Sequence, residues 1–244
     1  MMNLAEYRRT ATRLADYLPW AALAGSGVVL NKDGSFQRTA KFRGPDLDSS
    51  VAAELVAVAG RIKNALRRLG SGWSIFVEAQ RSEAATYPES LFPDPASALV
   101  DAERRAAFEE AGAHLVSGYF LTFLWLPPAE ESARAETWLY EGREESGVNP
   151  WELQRGFVDR TDRVLALLDG FMPECRWLDD PETLTYLHST ISTNRHRVRV
   201  PEVPMHLDAL LTDQPLTGGL EPRLGDQHLR ILTITGFPTA TTPG

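Results

Sequence analysis

Lysine is scarce in this chain of 244 residues: only Lys32, Lys41 and Lys63 occur, and arginine supplies nearly all the remaining positive charge. A phosphate-binding loop of the Walker type needs backbone amides of glycines around the phosphates and a lysine directly after glycine to reach the terminal one. Lys32 follows Asn31, Lys41 follows Ala40 and Lys63 follows Ile62, so that motif is excluded. Cysteine is scarcer still. Cys175 stands alone, which rules out an intrachain disulfide and a multi-cysteine zinc site and suggests a reducing compartment. Positive charge is also in deficit: 33 acidic residues oppose 25 basic ones, for a net charge of −8. Such a balance argues against a general nucleic-acid surface, which needs a positive field to recruit phosphates. Apolar runs of roughly 20 residues, the length that spans a bilayer, are missing. The first twenty residues carry Glu6, Arg8, Arg9 and Arg13 where a signal peptide would have an apolar core. A cytoplasmic protein is the resulting expectation.

What the chain does contain is ordinary material for a folded core, with 43% hydrophobic and 24% charged residues. Its length suits one elaborated domain or a domain with an appended lobe. Leu4, Tyr7, Ala11, Leu14 and Leu18 recur at helical spacing before Pro19-Trp20 interrupts them, predicting an amphipathic helix over 4–18. Val28 to Leu30 and Ser35 to Phe42 read as strands around the turn residues Asn31-Lys32-Asp33-Gly34. A helix then carries Val51, Leu55, Val58, Ile62, Leu66 and Leu69 on one face, with candidate caps at Asp48, Ser49 and Ser50, and stops at Gly70. Gly70-Ser71-Gly72 follows that helix and precedes a strand at Trp73–Arg81. This order suits a helix stop and a turn rather than anion binding at a helix N-terminus.

Further along, a charged helix is expected near Ser97–Glu110. Tyr119 to Leu126 is apolar on both alternating faces, as a central strand covered on both sides would be. Helices follow near 131–141 and 150–169, and a last core strand near Glu174–Leu178. Strand, helix, strand, strand, helix, strand is the order of the ferredoxin-like split βαβ fold. The expected class is therefore α+β: a ferredoxin-like core over 27–178 with one extra N-terminal strand at Val28, the N-terminal helix within 1–20, and an added helical and β lobe over 179–244. In that lobe helices are expected at 181–193 and 206–211 and a late strand at Leu229–Phe237. The chain stops at Gly244 directly after that strand, so it is expected to be a fragment of a longer protein.

Four separated segments also carry a resemblance. The hairpin region Gly27–Asp48, ALRRLGSGW from Ala65 to Trp73, WLDDPETLTYLHSTIST from Trp177 to Thr193, and VPMHLDALL from Val203 to Leu211 together resemble the TrbE family of conjugal-transfer proteins. These are large cytoplasmic ATPases of type IV secretion systems, and the likeness is to their N-terminal region. The resemblance implies an ATP-hydrolysing parent whose motor, with its ATP and magnesium, lies in a C-terminal region not represented here. This chain itself is expected to need no cofactor and no metal and to have no catalytic residue. The implied partners are inner-membrane components of the transfer channel and other copies of the ATPase, with no direct nucleic-acid contact. The implied location is the cytoplasmic side of the inner membrane, reached through partners.

Candidate contact residues are the helix positions Tyr7, Leu14 and Leu18, together with Trp20, and Arg195, Arg197 and Arg199, whose alternation in RHRVRV would line up three guanidinium groups. A charged, solvated strand edge is the plainer reading of those arginines. A hydrolase could instead take His188 or His196 as base, Asp179, Asp180 or Glu182 as orienting acid, and Ser189 or Ser192 as nucleophile. No GxSxG elbow accompanies them, and the histidines' separation of eight is not the spacing that pairs metal ligands on one helix face. A nucleic-acid-binding module is the third alternative.

Overall fold

The computed structural model describes residues 13–46, 49–84, 87–111, 114–128, 150–233 and 236. The chain divides into two compact units, one formed by residues 1–32 with 179–244 and the other by residues 33–178.

The second unit contains β3 (Phe36–Arg43), α2 (Ala52–Leu66), β4 (Trp73–Ala84), α3 (Pro95–Ala111), β5 (His114–Trp125), α4 (Pro150–Asp169) and β6 (Glu174–Trp177). β5 pairs antiparallel with both β3 and β4, and β6 pairs antiparallel with the other edge of β3. The lateral order β6-β3-β5-β4 is the split βαβ arrangement that the order of elements predicts, an α+β fold. One face of the sheet meets α2 and α4 around Ala40, Leu121, Phe123, Ala65, Leu69, Val164, Leu165, Leu168 and Cys175. At one end of this core Phe36, Trp73, Trp125 and Phe157 stack, with ring centroids 5.5–6.5 Å apart. Offset aromatic contacts of this kind add to simple area burial.

Local chemistry sets the element ends. α2 begins at Ala52, where the Glu54 carboxylate accepts from Val51 N at 3.2 Å. Of the expected caps, Ser49 and Ser50 bond to Asp46 instead, and Asp48 lies outside the described residues. Gly70 follows the helix with φ of +62°, the left-handed conformation glycine adopts without a Cβ clash. β4 and β5 are each twelve residues and run well past the expected Arg81 and Tyr119 limits. β5 is central, as expected, yet it is not covered throughout: Leu121–Phe123 and Trp125 are buried while Leu115, Val116 and Tyr119 are exposed. The helix expected at 131–141 lies outside the described residues.

The first unit holds α1 (Leu14–Tyr17), β1 (Trp20–Gly25), β2 (Val28–Asn31), α5 (Asp180–Ile191), α6 (Leu207–Leu211) and a short meander β7 (Leu216–Thr217), β8 (Arg223–Leu224), β9 (Gln227–His228). β1 pairs antiparallel with β2 across a turn with Gly27 at φ +65°. Sequence reading misses β1 because WAALAG is rich in small residues with low strand preference. The 4–18 helix is described only as Leu14–Tyr17, its earlier residues being outside the described set. The expected strand at Leu229–Phe237 is corrected for its described portion: Leu229–Thr233 is irregular, and Ile231 and Leu232 are solvent-exposed. Its alternating apolar residues fit a strand, but a strand needs a partner ladder, and none forms there among the described residues.

Candidate functional site

α5 organises the polar features of the first unit. Asp179 caps it by accepting from Glu182 N at 2.8 Å, and Glu182 returns the contact by accepting from Asp179 N at 3.1 Å, a reciprocal capping box. Asp180 accepts from Gly27 N at 2.6 Å, tying the β1–β2 turn to the helix start. Lys32 donates to Ala15 O at 3.1 Å and pairs with Asp208 at 2.8 Å, so one of the three lysines joins α1 to α6. The acidic residues that a hydrolase reading would recruit are thus caps and ties.

At the other end of α5 a polar knot forms. Asp213 Oδ2 accepts from Asn194 Nδ2 at 2.7 Å and Ser192 Oγ at 3.1 Å. Gln214 accepts from Thr193 N and Thr193 Oγ1, both at 3.0 Å. Buried His188 brings Nε2 to 3.2 Å from Asp213 Oδ2, off the line of a ring hydrogen bond, and its ring meets His196 edge-on at 4.4 Å between centroids. Burial draws the Asp213 carboxyl upward, but hydrogen bonds from Asn194 and Ser192 and the close imidazole outweigh it and hold the group below the usual carboxylate range.

A nucleophilic triad needs serine hydrogen-bonded to histidine and histidine oriented by an acid. Here Ser192 donates to the carboxylate itself, and Ser189 donates to Tyr186 O at 2.7 Å. Neither hydroxyl addresses an imidazole in these contacts. The LHSTISTNRH segment is a structural knot that fastens the helix end to residues 213–214. No group of three or more metal-binding side chains is found among the described residues.

Arg195, Arg197 and Arg199 lie on a stretch outside any helix or strand, and all three are exposed. Val198 is buried between the last two, and its N–H donates to Thr185 Oγ1 at 2.9 Å, which pins the segment against α5. Arg195 also donates to Ser189 O at 3.0 Å. Of the N-terminal candidates, Leu18 and Trp20 are buried in the core of the first unit and Leu14 is half-buried. Their neighbour Tyr17 is 64% exposed, and Tyr7 lies outside the described residues.

No helix of the described residues is long and apolar enough to cross a membrane. Residues 27–133 match the family described as type IV secretion system ATPase VirB4/TrbE, N-terminal domain. The chain is 33% identical over 261 residues to a conjugal transfer protein TrbE of Rhizobium radiobacter, an alignment covering all of this chain and 32% of that protein. In Sinorhizobium fredii a probable conjugal transfer protein TrbE is divided between two polypeptides. The chain is 37% identical over 139 residues to the first of them, covering 56% of this chain and 93% of that polypeptide. A 63-residue match at 33% identity joins 26% of this chain to 9% of the second. The chain belongs to the VirB4/TrbE family of type IV secretion ATPases, and its matched domain is the N-terminal one. It spans about a third of the length of the Rhizobium radiobacter relative.

Proposed function

We propose that this chain is a non-catalytic docking and assembly domain of a conjugative type IV secretion ATPase, linking an ATP-hydrolysing motor to inner-membrane components of the transfer channel. The observation that carries this reading is the match of residues 27–133 to the N-terminal domain of such ATPases. The missing Gly-Lys pair agrees with it, because the phosphate-binding chemistry of a motor has no counterpart among these residues. ATP and magnesium belong, in this reading, to the motor region of the parent protein. Contact with the membrane passes through partners on the cytoplasmic side, and other copies of the ATPase complete the assembly.

The exposed arginines at 195, 197 and 199, held in place by buried Val198, are the proposed contact for an acidic partner surface, with Tyr7 and half-buried Leu14 as a second candidate now that Leu18 and Trp20 are taken up by the core. Replacing all three arginines by glutamate should abolish capture of the inner-membrane components of the cognate transfer system while leaving the circular dichroism spectrum unchanged. Capture undiminished by the triple substitution would remove the arginines from the reading. Failure of the unaltered chain to capture any of those components would remove the docking role itself. Salt-sensitive binding of DNA by the purified chain would favour the nucleic-acid alternative instead.

A further inference from the structure

Within the second unit, β4 and β5 outrun the rest of the sheet. The last pair between β3 and β5 is Phe42–Tyr119, whereas the β4–β5 ladder continues from Gln80–Gly118 to Ala84–His114. Five further pairs at about 3.4 Å each project the ribbon by roughly 17 Å. Leu115 and Val116 point to opposite faces of this ribbon and are 56% and 55% exposed, so neither face is laid against the body. A free two-stranded ribbon is marginal in water, and the exposed Leu115 and Val116 on this one favour cover.

α3 follows β4 and is folded back on its inner side alone. Tyr87 donates to Asp101 at 2.8 Å and meets Phe108 edge-on, Arg105 lies over the Tyr87 ring, and Phe108 stacks on His114. The outward stripe is Leu99, Glu103, Ala106 and Glu110, all exposed, with Leu99 at 63%. The helix carries four acidic residues against two arginines.

α2 presents the counterpart. Ile62, Ala65, Leu66 and Leu69 pack on the core, but the outward stripe Val56, Gly60, Lys63 and Arg67 is exposed, with Val56 at 73%. Residues 52–68 hold Arg61, Lys63, Arg67 and Arg68 against Glu54 alone. The two stripes share the same spacing of four, three and four residues. Laid parallel, Val56 faces Leu99, small Gly60 faces Glu103, Lys63 lies between Glu103 and Glu110, and Arg67 faces Glu110. An apolar contact at one end and opposite charges at the other define both register and direction.

We propose that the β4–α3–β5 arm of one copy of this chain seats α3 against α2 of a second copy. Both halves of the contact are on one polypeptide, which is why a second copy is the occupant. The inference rests on the assembly reading only in taking a copy of the same protein as partner. Its test needs no membrane component, so it can fail while the docking role stands.

Sedimentation velocity of the purified chain should show concentration-dependent self-association that weakens as salt is raised. An arm variant, Glu103→Lys with Glu110→Lys, and a helix variant, Lys63→Glu with Arg67→Glu, should each lose association at least about tenfold. Mixed in equal amounts, they should recover it, because the basic arm of one then meets the acidic helix of the other. A wild-type chain that stays monomeric to about 100 μM overturns the proposal. So does association unaffected by the substitutions, as when residues 129–149 of the same chain or another surface covers the helices, or a mixture that does not recover.

Discussion

At the scale of single residues, polar side chains act as fasteners, and their chemistry gives sharp expectations. Asp213 has a folded-state pKa below its ordinary value near 3.8, so its contribution is fully present above that value and is lost as pH falls through the lower folded one. Denaturant titrations should find Asp213→Ala less stable than wild type near neutral pH, with the difference closing below about pH 4. Arg38 donates to Asp162 at 2.7 Å and lies 4.0 Å over the Trp177 ring, and Trp177 Nε1 donates to the same carboxylate oxygen at 2.7 Å. Asp162→Ala would remove a partner from both donors, but the contact is solvent-exposed, so it should cost only about 0.5–1.5 kcal/mol in the same titrations. Cys175 sits in the core, where burial first and the charge of Asp169 second push its thiol up to about 11. Iodoacetamide should label it slowly in the folded protein and quickly after unfolding, as mass spectrometry would show. Sequence reading names Cys175 and the histidine–serine segment. It does not reveal that Asp213, more than twenty positions after His188, closes the knot, because the only signal is a loop carboxylate with no periodic neighbours.

Whole elements were legible wherever periodicity was strong. The strands and helices of the ferredoxin-like unit follow from apolar stripes and from Gly70, while the ends of β4 and β5 do not. Arg81 and Ser82 interrupt the apolar pattern, yet the ladder continues because each strand supplies the other's backbone partners regardless of side chain. Gly72 shows how an element boundary is held. Its carbonyl accepts from Leu126 N at 2.9 Å, its φ is +82°, and a Cβ there would come within 2.6 Å of Leu126 O. Gly72→Ala combines a disfavoured conformation with a backbone clash and should lower stability by at least about 2 kcal/mol, read as an earlier thermal midpoint.

At the scale of the molecule, the fold supplies two compact units and an outward arm, and the described residues contain no assembled serine–histidine–acid triad. Purified chain incubated with magnesium and ATP should show no saturable turnover after contaminating ATPases are removed, measured by phosphate release. The sequence by itself determined the α+β class, the family and the lack of a Gly-Lys phosphate loop, since composition, periodicity and adjacent residue pairs are properties of a linear chain. The tertiary structure alone decided that residues 20–31 group with the C-terminal segment, that Ser192 serves Asp213 rather than an imidazole, and that α2 and α3 display matched stripes to solvent. Those facts depend on contacts between residues far apart in the chain. Hydrophobic pattern states which side chains seek cover, but only the packed backbone shows which of them find it.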